Sequence, residues 1–299
     1  MMHSLRQIAH KIFPKILVTW IQKTRKNRRQ RLLKLQSKNG GFSIDYLLSQ
    51  LQYMGIQSGD TLLVHSALSK MGYVEGGAKT VVESLVQAIG PNGHLLMPSS
   101  SNDGRQLDFA EKNEIFNVLE TSSRMGAISE CFRKRPHVKR SLHPLESVCC
   151  LGPSAEEFIR GHFRAKTAYM TDSPFGKLIE HDGKILMIGV TFDNAGTNVH
   201  CLEDAVDFPF PIYYKDEFEL TVIDGMGQKN QIISKVHDPI WSAKRHCDFL
   251  IPIFEKSSVL EIHQLGEASV LLVDAKKMFL KMNELLAEGI TIYGRVKNR

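Results

Sequence analysis

TLLVHSALSKMGYVEGGAKTVVESLVQAIGPNGHLLM, from Thr61 to Met97, is the stretch that sets the fold of this chain. Thr61–His65 is a short apolar run entered from the turn Gly59-Asp60, the pattern of a buried strand. SALSKMGYVEGGA then forms a loop punctuated by Gly72, Gly76 and Gly77, and Lys79–Ile89 spaces its apolar residues as a helix does. The turn Gly90-Pro91-Asn92-Gly93 feeds a second apolar run, His94–Met97, closed by Pro98 and the serines Ser99–Ser101. Strand, loop, helix and strand in this rhythm give a three-layer α/β core, with helices covering a sheet. The glycine-rich loop lets a ligand approach the backbone, but GxxxGG is neither a Walker loop nor a dinucleotide fingerprint.

Working outward, Ser43–Tyr53 reads as a short helix before the first strand and Met125–Phe132 as one after the second. RKRPHVKRSLHP (Arg133–Pro144) is basic and exposed in character, and Pro144 holds His143 out of helical conformation. A strand at Glu146–Leu151, a helix after Pro153 and the turn Asp172-Ser173-Pro174 lead to a third buried strand, Lys184–Gly189. Beyond Asp207, Phe208-Pro209-Phe210-Pro211 forbids helix. Glu217–Asp224 and Gln228–Ser234 alternate as a hairpin around Gly225–Gly227, and Ala275–Ala287 is an amphipathic helix.

With 299 residues, 42% of them hydrophobic and 23% charged, the composition is that of a globular protein with chain enough for a sizeable core. Its net charge of +6 is unevenly placed: residues 1–44 hold eleven Lys/Arg and no carboxylate, leaving the remainder at −5. Leu5, Ile8, Ile12, Ile16 and Trp20 recur at helical spacing ahead of KTRKNRRQR (Lys23–Arg31), so residues 1–41 read as a basic amphipathic helical arm. Such an arm can lie on an anionic membrane surface, where apolar burial and Lys/Arg attraction add, or pack on the body or on a second subunit of a homo-oligomer. A basic run without interleaved aromatics is weak evidence for nucleic acid, and none is expected. Residues 42–299 form the single domain, with no linker or repeat. Five cysteines without CxxC spacing fit free thiols in a reducing compartment. No apolar run approaches the roughly 20 residues that span a bilayer. The expectation is a cytoplasmic protein, peripheral to the inner membrane face if the arm binds lipid.

TFDNAGTNVHCLEDAVD (Thr191–Asp207) follows the third strand and carries the candidate chemistry. Thr197 reads as the N-cap of a helix beginning at Asn198, with His200 in its first turn and Glu203 on the same face. A helix N-terminus disfavours a charged imidazole, which suits a general base. A His-x-x-Glu pair is also common as a solvated pair, so these residues alone leave both readings open. The remaining histidines, His237 among them, read as surface or structural.

Three long segments resemble, in order and spacing, the aminoglycoside 3-N-acetyltransferase family: Gly59–Ser99, SRMGAISECFRKRPHVKRSLHP (Ser123–Pro144) and GTNVHCLEDA (Gly196–Ala205). SPFGKL (Ser173–Leu178) and GEAS (Gly266–Ser269) match as well, so the resemblance covers about residues 42–290 and leaves the arm outside. It implies a three-layer single domain with a central mixed sheet of that family's type, not the GNAT fold. It also implies transfer of an acetyl group from acetyl-CoA to an amine of an aminoglycoside or amino sugar, without a metal. By motif, His200 matches the histidine of T-x-x-H-x-x-E, proposed there as the base, with Thr197 and Glu203 as partners. His65 falls on the H-S-S motif and His143 on R-S-x-H-P, both lining the family's active site. The same segments assign coenzyme contacts to Ser66, Ala67, Leu68, Ser99, Arg124, Met125, Arg140 and Ser141. Glu75, Asp193, Asp204 and Asp207 are the carboxylates that would attract a cationic acceptor. Ala67 replaces the usual second serine of H-S-S, and Ser99 stands where threonine commonly follows Met-Pro.

An amine that is protonated at neutral pH must lose a proton before it attacks a thioester, and His200 oriented by Glu203 suits that task. Backbone N–H groups with the hydroxyl of Thr197 or Ser66 would stabilise the oxyanion. Three rivals remain from sequence. Cys201 could carry an acyl group, although one step along a helix turns it about 100° away from His200. His65, His143 and His200 could hold a catalytic metal. The fold could also have lost its chemistry and serve as a scaffold. Among acceptors, an aminoglycoside and an amino sugar of a surface polysaccharide present the same amine.

Overall fold

The computed structural model describes residues 35, 40–102 and 106–296. The basic arm therefore lies outside the described residues except for Leu35, Gly40 and Gly41. Ten of the twelve strands among the described residues build the two larger sheets: β1 Thr61–Ser66, β2 His94–Pro98, β3 Phe116–Asn117, β4 Lys139–Arg140, β5 Val148–Leu151, β6 Lys184–Ile188, β7 Phe218–Ile223, β8 Lys229–Ser234, β9 Leu260–Leu265 and β10 Ala268–Asp274. Seven of them form one sheet in the order β4-β5-β2-β1-β6-β10-β9. Its centre is parallel, β1 pairing with β2 and β6, while β5 and β10 run antiparallel on the two flanks, so the sheet is mixed. β1, β2 and β6 read as continuous apolar runs because both of their faces are covered, the usual state of central parallel strands.

Alternate residues of these strands supply two cores. Leu62, Val64, Leu95, Met97, Leu186 and Ile188 pack under the helices Ile44–Tyr53, Ala78–Ile89 and Ala127–Arg133. Leu63, Leu96, Ile185, Met187 and Leu271 pack on the other side, under Pro174–Glu180, Leu250–Lys256 and Ala275–Ala287. Three layers result, as the first segment predicts. The hairpin β7–β8 pairs with β3 in a separate three-stranded sheet with its own small core of Phe109, Phe116, Leu220, Val222 and Val236. That sheet is not foreseen from sequence, since β3 has only two residues.

The sheet ends where the site begins. β1 delivers His65 and Ser66 at its carboxyl end, β2 delivers Pro98, and β6 stops at Gly189. Gly189 has φ +67°, and a Cβ there would meet the Cβ of Lys70 at 2.5 Å, so only glycine lets the chain turn into the site loop. Open sheets with parallel centres bind ligands outside the carboxyl ends of those strands, and a cleft of about 1370 Å³ opens there.

Candidate active site

The loop after β6 is built differently from the helix expected of it. Phe192–Ala195 forms a short helix, Thr197–His200 a 3₁₀ turn, and Cys201–Ala205 a single α turn. Thr197 does not cap this unit: its hydroxyl lies 3.0 Å from His65 Nε2, tying the loop to the end of β1. His200 Nδ1 lies 2.9 Å from Glu203 Oε2, so the i, i+3 pair of the sequence is a buried dyad instead of a solvated one. Nδ1–H donates to the carboxylate, which leaves Nε2 as the proton-accepting nitrogen of a side chain that lines the cleft.

Glu203 is shared. His237 Nε2 lies 3.2 Å from the same Oε2, and the Tyr293 hydroxyl donates to Oε1 at 2.8 Å. Tyr169 packs against both His200 and His237, and Tyr213 stacks flat on His237 at 5.1 Å. His237 is thus neither a surface residue nor a remote one. No local spacing announces it, because it comes from the strand exit after β8, 34 residues beyond Glu203. Tyr293, Arg245, Tyr169 and Glu146 join the site from equally distant segments and carry no motif.

Burial sets the protonation states. It lowers His65 and His237 to about 4, and it lowers His200 as well, against the opposing pull of Glu203. The imidazoles are therefore neutral at pH 7, through desolvation and not through the helix dipole expected from sequence. Burial alone would raise the Glu203 carboxyl, but the two imidazoles more than offset this and hold it well below the usual carboxylate range. A neutral base hydrogen-bonded to an ionised carboxylate is the arrangement that stabilises an imidazolium as it forms. His237→Phe keeps a ring beside Tyr213 and deletes one donor to Glu203. We expect it to reduce kcat about tenfold, the worth of one charged hydrogen bond, as steady-state kinetics would show.

The structure sorts the other candidates. Ser66, Ala67, Leu68, Arg124, Met125 and Asp193 line the cleft. His143 does not: it is fully buried, stacks on His162 and accepts the backbone N–H of Glu146 at Nδ1. Ser99, Arg140 and Ser141 lie behind the wall. Arg140, read as exposed, is buried and donates to the carbonyls of Ser99, Val118 and Thr121, while Ser141 binds His162 and the N–H of Val148. Arg133 is paired with Glu130. Of the proposed acceptor-binding acids, Glu75 bonds to Gly41 N–H, Asp207 is exposed, and Asp204 is held by Thr167 and Tyr213; none of the three lines the cleft. Asp193 does, but its carboxylate accepts from the backbone of Cys247 and Asp248 and pairs with His246.

Two rivals weaken on this geometry. Cys201 faces the core, and burial pushes its thiol well above its ordinary range. Iodoacetamide is therefore expected to leave Cys201 unmodified in the folded protein, as peptide mass mapping would show; rapid alkylation there with loss of activity would restore the acyl-cysteine route. His65, His143 and His200 do not converge, since His143 is engaged elsewhere. Among the described residues, His200, Glu203 and His237 are the group close enough to share an ion. Both nitrogens lie within hydrogen-bond distance of Glu203 Oε2, at 2.9 and 3.2 Å, so proton sharing accounts for the trio without an ion.

A buried imidazole, an ionised carboxylate beside it and a cleft of about 1370 Å³ thus lie together at the carboxyl ends of a mixed α/β sheet. The model of the aminoglycoside 3-N-acetyltransferase family matches residues 63–287, and the chain belongs to that family. Aminoglycoside N(3)-acetyltransferase IV of Salmonella sp is 33% identical over 167 residues, 56% of this chain and 60% of that protein. The chain spans less than two thirds of the curated relatives it matches in this way. The structure of sisomicin-bound AAC-VIa superposes with a TM-score of 0.71 at 24% identity, covering 83% of this chain and 98% of that one. AAC-IIIb with CoASH gives 0.71 at 23%, covering 86% and 99%. At these identities the superpositions show the fold.

Proposed function

We propose that this protein is an acetyl-CoA-dependent N-acetyltransferase acting on an amine of an aminoglycoside or amino-sugar acceptor, by direct transfer with His200 as general base. The observation that carries the reading is the buried His200–Glu203 pair, with Nε2 left to the cleft. Family membership and the CoASH and sisomicin complexes of its structural neighbours support the two ligands. Nε2 takes a proton from the acceptor amine, and the freed lone pair attacks the thioester carbonyl. The oxyanion that forms is met by hydroxyl and N–H donors at Ser66 and Thr197, which lie in the same cleft. Collapse expels the thiolate, the imidazolium at His200, held by Glu203, protonates it, and the remaining extra proton on the acylated nitrogen passes to the regenerated imidazole and on to solvent. Ser66–Leu68, Arg124 and Met125 line the same cleft, which supports assigning the coenzyme to them.

Thiol release from acetyl-CoA against a panel of amines tests this. Turnover with any amino sugar upholds the reading, and failure of acetyl-CoA to bind sinks it. Use of acetyl-CoA would fit a cytoplasmic enzyme, and the basic arm would hold it on an anionic membrane face. Co-sedimentation with anionic vesicles that persists after deletion of residues 1–40 would remove that role from the arm. No helix among the described residues is long and apolar enough to cross a membrane.

A further inference from the structure

The cleft is lined by two arginines, Arg124 and Arg245, as well as by the carboxylates Asp108, Glu146 and Asp193. Arg245 lines it beside His237 and Cys247. Its Nε donates to the Tyr293 hydroxyl at 3.3 Å, and that hydroxyl donates in turn to Glu203, so the guanidinium sits in the same recess as the base. Its Nη2 is buried and, among the described residues, has no hydrogen-bond partner. A buried guanidinium nitrogen without an acceptor costs stability unless a ligand supplies one. Most carboxylates expected to hold a cation are absent from the cleft or occupied. Glu75, Asp204 and Asp207 lie off it, and Asp193 is bound by backbone N–H groups and His246. Glu146 lines the cleft but is already hydrogen-bonded by Ser100 and Gln106.

Resting on the acetyltransfer reading, we propose that the acceptor is an amino sugar that also bears an anion, a phosphate or a carboxylate, and that Arg245 is the residue that binds this anion. Guanidinium N–H pairs match both groups, and a bound anion would give Nη2 its missing acceptor. Its amine would then lie toward His200. A polycationic aminoglycoside can offer Arg245 only neutral hydroxyl and ether oxygens, and its ammonium groups would meet it as like charges.

The test compares kcat/KM for a UDP-linked 4-amino-4-deoxy sugar, an amino-deoxy uronic acid, the free 4-amino-4-deoxy sugar and tobramycin, on the full chain and on Arg245→Gln and Arg245→Lys. We expect one of the two anionic acceptors to exceed the free amino sugar and tobramycin by about 10- to 100-fold, the range of a charge-assisted pair. Which of the two does so identifies the anion. In Arg245→Gln that ratio should collapse toward one, and Arg245→Lys should restore part of it. Three results overturn the proposal: tobramycin or the free amine as the better substrate, an unchanged ratio in Arg245→Gln, or a rise confined to KM for acetyl-CoA, which would make the coenzyme the source of the anion. If no amine is acetylated, the acetyltransfer reading fails by itself. Calorimetric binding of the two anionic sugars then decides the anion site: binding lost in Arg245→Gln upholds it, and no binding to the unaltered chain overturns it.

Discussion

Replacing His200 with Ala is expected to lower kcat about 10²–10⁴-fold, the usual contribution of a positioned base, with KM for acetyl-CoA within a factor of two. The reasoning rests on which interactions change on the way to the transition state. The imidazole gains a proton only as the amine attacks, and Glu203 stabilises that charge only then, so its loss falls on kcat. The pH profile separates this from a structural role. His200 must be neutral to work, and burial lowers its pKa below the ordinary 6.5. The acid limb of kcat/KM that reports His200 should therefore lie below about pH 6.5. In His200→Ala that limb should vanish with the activity. Steady-state kinetics between about pH 5 and 9 read both quantities. Retention of more than about a tenth of kcat in the variant would give the base to another group.

How much of this was legible without coordinates depended on how local each feature is. Apolar runs at Thr61–His65, His94–Met97 and Lys184–Gly189 gave the three parallel strands nearly to the residue, because strands covered on both faces leave no polar alternation to confuse. Ala275–Ala287 was legible by its helical period and matches the observed helix. Glu203 and His200 were legible because three residues on one turn bring them together. His237, Tyr293 and Arg245 were not, because strand order and long loops bring them to Glu203, and pattern within one segment carries no record of that. The basic stretch Arg133–Pro144 misled for a related reason. Arg140 is charged and buried, and only the carbonyls of Ser99, Val118 and Thr121, from two other segments, make that tolerable. Thr197 was placed at the right point and given the wrong partner, a helix end instead of His65 on the neighbouring strand.

Folding itself should be acid-labile. His65 and His237 are held at about 4 and His143 at about 3 by burial, and His162 and His200 are lowered in the same sense. In the unfolded chain each takes a proton near pH 6.5. Between that value and the folded ones the unfolded state binds protons that the native state cannot, so stability falls as pH falls. Each histidine contributes about 1.4 kcal/mol per pH unit in this window, and His65, His143 and His237 together about 4 kcal/mol per unit. Against a total stability of about 5–15 kcal/mol, this is enough to unfold the domain within a few units below pH 6.5. Glu203 acts in the same direction lower down: its carboxyl is depressed, so its contribution is present above the unfolded value near 4.3 and lost as acid overtakes the folded one. Thermal melts at constant ionic strength should show Tm level above about pH 7 and falling steeply below about 6.5. A Tm that stays flat down to about pH 5 would mean that these imidazoles protonate in the native state as readily as in the unfolded chain, and that burial does not lower them.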